Sequence, residues 1–244
     1  MSVETRPLLE VDGLAAGYGD LQVLWDVALG VRAGEITVLL GRNGAGKTTT
    51  LRAVAGLSRA SAGSVVMAGN DITRLSADAR VRRGIAMVQE GKRIFRRRTV
   101  HENLLLGGYT LGLGRRRLAE RCGYNYDRFP MLRDRAGTPA GMLSGGQQQM
   151  LAIAQALMAE PKVLMLDEPS AGLAPTVVKS TFETVAALSA EGLGVLLVEQ
   201  QVDHALRIAS HVVVLDVGRV VVSGPASEVG DASVIRDAYL GRLS

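Results

Sequence analysis

The sequence predicts an α/β fold in which a parallel sheet is flanked by helices, preceded by an antiparallel β-subdomain and interrupted by an inserted α-helical subdomain. Three observations carry that prediction. Short apolar runs alternate with helical spacings through most of the chain. Up to Leu40 the sequence holds strands split only by Gly/Asp turns. From Thr99 to Met142 the spacing is helical with interruptions.

Residues 8–14, 21–31 and 35–40 are apolar or alternating and read as strands, the last feeding straight into a glycine-rich loop. Residues 47–57 have helical spacing, with Gly56 near the end as a stop signal. Residues 64–68 and 85–88 are further strands. Thr99 and Glu102 form a capping-box pattern, in which hydroxyl and carboxylate satisfy each other's backbone N–H groups. That box opens a helical stretch running, with interruptions, to Met142, and residues 145–158 make the next helix. Residues 163–166 and 194–198 are buried strands, and 212–215 with 220–222 form a hairpin. Helices fall near 176–189 and 202–208. The expected organisation is one domain over 1–244 with the helical insert at about 99–158.

At 244 residues, 47% hydrophobic and 21% charged, the composition is that of an ordinary globular protein. No apolar run reaches the roughly 18 residues that span a bilayer. Residues 1–10 lack the apolar core of a secretory signal, and the lone Cys122 cannot form an intrachain disulfide, so a cytoplasmic protein is expected. The net charge of +4 is uneven: residues 74–135 carry sixteen basic and six acidic side chains. The runs at 96–98 and 115–117 lack the interleaved aromatics of a nucleic-acid platform, which favours a solvated face or one turned to an anionic membrane.

Gly41-Arg42-Asn43-Gly44-Ala45-Gly46-Lys47-Thr48 matches G-x-x-x-x-G-K-[ST] at every position. Glycines let consecutive backbone N–H groups turn inward around phosphate oxygens, and the helix that follows, continuing through Thr49, aims its positive dipole end at them. Lys47 is placed to reach the β- and γ-phosphates and the Thr48 hydroxyl to ligate Mg²⁺, so ATP and Mg²⁺ are expected. Asp167 ends an apolar strand, where its carboxylate can hold Mg²⁺ through water. Glu168 follows at the strand tip, placed to polarise the attacking water. Ser144-Gly145-Gly146-Gln147 opens a second helix and offers a second anion cradle. One ATP has no need of two cradles from one chain, so each is expected to take one side of a shared nucleotide in a head-to-tail dimer.

The order of these motifs, with Leu143 before Ser144 and the 163–168 strand after it, resembles the ATP-binding cassette family over essentially the whole chain. The resemblance implies a RecA-like P-loop NTPase core and ATP hydrolysis that powers transport. It implies as partners a second cassette subunit, identical or different, two transmembrane permeases and, indirectly, a substrate-binding protein. No nucleic acid is expected, and the location implied is the cytoplasmic face of a bacterial inner membrane. The 144–147 loop would cap a γ-phosphate held by the other subunit. Tyr18 would stack on adenine, the alternative being a strand tyrosine that packs locally. Gln89 would touch Mg²⁺ and the attacking water and sense the permease. Gln200 stands where most cassettes carry a histidine that contacts the γ-phosphate. Glutamine donates a hydrogen bond but carries neither proton nor charge, so slower turnover is expected at its site unless the partner's site dominates. His204, one helical turn on, is either a substitute or a helix-surface histidine, as His101 and His211 are taken to be.

Residues 89–95, 99–104, 169–175 (with Ala174 in place of a common aspartate), 198–200 and 238–241 narrow the resemblance to the F-type ATP-binding subunit of branched-chain amino acid importers. Urea and short-chain amide importers use similar subunits. Soluble cassette ATPases acting on DNA or ribosomes carry paired cassettes, coiled coils or zinc-hook cysteines, which this sequence lacks. A P-loop kinase leaves residues 143–147 unexplained.

Overall fold

The computed structural model describes residues 6–229, so the 238–241 motif lies outside the described part of the chain. In order, the elements begin with β1 (Leu9–Tyr18), β2 (Leu21–Val31), β3 (Ile36–Leu40), α1 (Lys47–Val54), β4 (Ala60–Met67) and β5 (Asn70–Asp71). Next come α2 (Ala77–Arg82), β6 (Ile85–Val88), α3 (Val100–Gly107), α4 (Arg115–Arg128), α5 (Pro130–Arg133) and α6 (Gly145–Leu157). The chain continues through β7 (Val163–Asp167), α7 (Pro175–Ala190), β8 (Gly194–Glu199), α8 (Val202–Leu206), β9 (His211–Asp216), β10 (Arg219–Pro225) and α9 (Ala226–Val229).

Two sheets result. An antiparallel one runs β2-β1-β4-β5, and a six-stranded one runs β10-β9-β3-β8-β7-β6, parallel from β9 to β6 and closed at one edge by antiparallel β10. The parallel strands are apolar without a break because both of their faces are covered. Val195 and Leu197 of β8 point into one core, with Leu104 of α3, Leu151 of α6 and Phe182 of α7. Leu196 and Val198 point into the other, with Leu51 of α1 and Leu9, Leu24 and Val65 of the antiparallel sheet. Burying each such side chain contributes about 1.5–3 kcal/mol, so truncating a central one such as Leu166 to Ala should cost about 2–5 kcal/mol.

The strand order positions the site. β8 lies between β3 and β7, with Leu40 level with Glu199 and Asp167 level with Val198. The loops that leave β3, β8 and β7 therefore emerge side by side at one carboxyl edge, where an open parallel sheet presents its ligands.

The structure extends the sequence reading at several points. β4 starts at Ala60, earlier than an apolar pattern would suggest, because Ala60 and Ala62 pair across register shifts with Ala16 and Ala15. The short helix α2 was not expected. It is held by the buried Arg80, whose guanidinium donates to the carbonyls of Ala53, Val54, Thr73 and Leu75 and so also caps the end of α1. His211 is no helix-surface residue: it opens β9, and its Nε2 lies 3.1 Å from the Ser223 hydroxyl of β10.

Candidate active site

The glycine-rich loop leaves β3 and turns into α1 at Gly46, whose φ of 106° falls in the left-handed region. A Cβ there would stand 2.6 Å from Leu24 Cδ2, so conformation and space both demand glycine. No side chain caps α1. Its first-turn N–H groups are left to an external acceptor, and the helix dipole reinforces an anion there. Lys47 is buried, and its ammonium lies over the loop, donating to the carbonyls of Gly41 at 2.8 Å and Arg42 at 3.2 Å. It also lies 3.6 Å from Glu168 Oε1.

Thr48 donates to Asp167 Oδ1 at 3.1 Å, which joins the start of α1 to the end of β7. Asp167 is 2% exposed. Burial pushes its pKa up to about 6; Glu168 and Glu90 add to the rise, while the Thr48 bond and Lys47 oppose it. A carboxylate this short of positive charge, next to a hydroxyl, is a hard-oxygen set suited to a divalent cation. Among the described residues no cluster of three or more His, Cys, Asp or Glu side chains could hold a metal. Any cation here would draw its remaining ligands from water and phosphate oxygens, as Mg²⁺ does.

Glu168 has a φ of 46°, rare for a residue with a side chain, and its N–H donates to the Val198 carbonyl at 3.0 Å. Such a conformation costs about 1–3 kcal/mol and is kept where surrounding contacts enforce it. Glu168 Oε2 accepts from Gln200 Nε2 at 2.6 Å. Gln200 thus engages the carboxylate expected to polarise water, and the pair sits between Lys47 and the end of β8.

Tyr18 ends β1, 48% exposed and with its hydroxyl 3.3 Å from Thr49 Oγ1, so an accessible aromatic side chain adjoins the start of α1. Gln89 directly follows β6 beside a groove of about 310 Å³ lined also by Met87, Arg93, Phe95 and Gln155. Phe95 of that lining is tied to α3 by buried Asn103, which bonds both the N–H and the carbonyl of Phe95 and the Thr99 carbonyl. His204 is not at the site: its ring stacks on Phe182 of α7 with centroids 5.7 Å apart.

The second glycine motif is built against other elements. Ser144 caps α6 by accepting from Gln147 N at 3.3 Å, and Gln147 Oε1 accepts from Ser144 N at 3.0 Å. A Cβ on Gly146 would stand 2.5 Å from Val177 Cγ1 of α7, while Ser144 and Gly145 are exposed. The larger cavity, about 770 Å³, is at the opposite edge of the sheet, before β7 and β8. Its Arg121 and Arg128 are paired with Glu160 and Glu191, away from this chemistry.

Glu90, Ser170 and Glu199 lie within the motifs read from the sequence, but that reading gave them no part in the site. Glu199 carried a usable signal, since it ends an apolar strand as Asp167 does.

A family model described as ABC transporter matches residues 24–171. The chain belongs to the ABC transporter ATP-binding family. It is an ATPase subunit with the P-loop NTPase fold. It is 42% identical over 240 residues to the high-affinity branched-chain amino acid transport ATP-binding protein BraG of Pseudomonas aeruginosa, covering 96% of this chain and 100% of that protein. It is 39% identical over 223 residues to an Archaeoglobus fulgidus protein that bears the name "Probable branched-chain amino acid transport ATP-binding protein LivF", covering 91% of this chain and 94% of that protein. A lipopolysaccharide export ATP-binding protein, LptB of Haemophilus influenzae, is 35% identical, covering 96% and 97%. Among solved structures, the ADP conformation of an ATP-binding cassette of an ABC transporter superposes with a TM-score of 0.83 at 28% identity, covering 97% of this chain and 100% of that one.

Proposed function

We propose that this subunit powers the import of branched-chain amino acids. The observation that carries the cargo is the end-to-end likeness to BraG and LivF, higher than that to the export subunit LptB. On this reading it works at the cytoplasmic face of the membrane with a second cassette subunit and two permeases. Among the described residues no helix is long and apolar enough to cross a membrane, so the transport path would belong to those permeases.

The reaction follows from the site. The loop at 41–48 and Lys47 bind the phosphates of ATP, and Tyr18 stacks on adenine. Thr48 and Asp167, with Gln89, would hold Mg²⁺, which when bound would neutralise charge on the β- and γ-phosphates. Glu168 orients and polarises the attacking water, held for that task by Gln200. Gln200 thereby replaces a protonatable contact to phosphate with a neutral hydrogen bond to the base. Ser144, Gly145, Gly146 and Gln147 cap the γ-phosphate bound by the opposite subunit. Residues 99–158 act as the helical subdomain that transmits closure, and the groove beside Gln89 and Phe95 receives a permease loop. Nucleic acid is disfavoured because the basic runs lack interleaved aromatics, and several of their arginines stand beside acids of this chain. Arg82, Arg98, Arg116, Arg117, Arg121, Arg128 and Arg133 each face a carboxylate.

Purification of the tagged chain from detergent-solubilised native membranes tests the assignment. Recovery of two multi-span permeases and a second cassette ATPase is expected, with a binding protein that takes up leucine, isoleucine or valine. Recovery with lipopolysaccharide-export components, or with ribosomes, would contradict it.

A further inference from the structure

Glu199 is a carboxylate that the mechanism above does not use, yet it is 1% exposed and one residue from Gln200. Ionised carboxylates are rarely buried unless hydrogen bonds hold them there. Its Oε1 accepts the Ser170 backbone N–H at 3.1 Å. Its Oε2 accepts the Ser170 hydroxyl at 2.9 Å and the Gln200 N–H at 3.2 Å. Ser170 is itself buried and stands two residues after Glu168. The Ala171 N–H donates to the Glu168 carbonyl at 3.0 Å, and the Leu173 N–H to the Ser170 carbonyl at 3.2 Å, so Ser170 anchors the segment leading to α7. With the Gln200–Glu168 bond, a ring closes: Glu168, Pro169, Ser170, Glu199, Gln200 and back to Glu168.

We infer that Glu199 is a positioning residue for hydrolysis, a clamp that fixes the loops after β7 and β8 relative to each other and so aims Glu168. Three features argue for this over a plain buried strut. Both carboxylate oxygens are occupied by groups from the two loops that carry Glu168 and Gln200. The strained backbone of Glu168 needs outside enforcement, and Ser170 and the β8 end provide it. Only a carboxylate fits, because both oxygens face backbone N–H donors that cannot reverse. A glutamine amide, in either orientation, would set its NH₂ against one of them.

The inference rests on Glu168 being the residue that orients water. The test is ATP hydrolysis by the assembled transporter complex whose copy of this chain carries Glu199→Gln, with KM for ATP measured on the same samples and the unfolding temperature on the purified chain. Because the clamp touches no nucleotide, kcat should fall roughly tenfold or more while KM stays within about twofold, the signature of misaimed rather than missing chemistry. Ser170→Ala removes one of the three bonds and should lower kcat less, again at constant KM. Should Glu199→Gln fail to fold, Ser170→Ala decides in its place. Combining Glu199→Gln with Glu168→Gln should add no further loss. Unchanged kcat in the clamp variants would overturn the inference, as would a fall in kcat matched by equal losses of ATP affinity and thermal stability. Glu168→Gln alone separates the two ideas: if it hydrolyses ATP normally, the assignment of Glu168 fails. If it is inactive while Glu199→Gln is normal, only the clamp fails.

Discussion

The chain opens two helices with glycine-rich loops, and the two are finished differently. At Gly46 no side chain caps α1, and that end of the loop packs against β2 and β9 while residues 42–44 stay exposed, with Lys47, Thr48, Asp167 and Glu168 converging on it. At Ser144 the helix caps itself through a complete capping box and its first residues stay exposed, flanked by Leu173, Val177 and the ammonium of Lys92, a cation suited to an anion but with no carboxylate beside it to act as a base. On the proposed reading the first loop is the reaction centre. The second is a stable surface feature whose hydroxyl and N–H groups become useful only when a nucleotide is brought to it. That difference is a structural reason to expect the second loop to act on another subunit's nucleotide.

The comparison can be broken most sharply at Lys47. Lys47→Ala should reduce hydrolysis on the order of 10²-fold or more, since the ammonium stabilises the charge that develops on the transferred phosphate. Binding of a fluorescent ATP analogue should fall with it. Glu168→Gln should lower hydrolysis by about 10²–10⁴-fold, the range for loss of a positioned base, while ATP remains bound. Steady-state turnover at the native rate in the assembled complex would refute the role of Glu168.

Asp167→Asn sharpens the contrast from the stability side. With its pKa raised to about 6 by burial and by neighbouring acids, ionised Asp167 destabilises the nucleotide-free fold. That cost is complete above the folded pKa and disappears as pH falls toward the ordinary carboxylate value. Asp167→Asn should therefore stabilise the metal-free protein by about 1–3 kcal/mol at pH 7.5, with the gain fading between pH 6 and 4. Hydrolysis should be lost all the same. Thermal unfolding at the two pH limits, in the presence of a chelator, reads this directly.

Ser144→Ala should have the smallest effect on the isolated chain. Losing the cap costs about 1 kcal/mol of helix stability, and ATP affinity should not change, because this loop does not serve its own nucleotide. Reduced affinity in the monomer would blur the distinction between the loops.

Much of the P-loop centre was legible in the sequence because its motifs are local: one strand, one turn, one helix. The Thr48–Asp167 bond depends only on two apolar strands ending in the same sheet. The bond from Gln200 to Glu168 was not foreseen, since the side-by-side order of β3, β8 and β7 is decided by long-range pairing. Arg80 was invisible for a similar reason. Its four carbonyl partners come from α1 and the turn after β5, segments its own neighbours in sequence do not reveal. Small-residue pairing hid the start of β4, and His211 lay one residue outside the apolar run that marks β9.

The most direct test of the two-loop account is light scattering of the Glu168→Gln chain with and without ATP, alone and with the second cassette subunit recovered from membranes. From a 25.8 kDa monomer, ATP should produce a dimer in at least one of these mixtures. Adding Ser144→Arg should abolish that dimer while ATP binding to the monomer persists. A chain that stays monomeric with ATP in both settings, or a dimer indifferent to Ser144→Arg, would contradict the account.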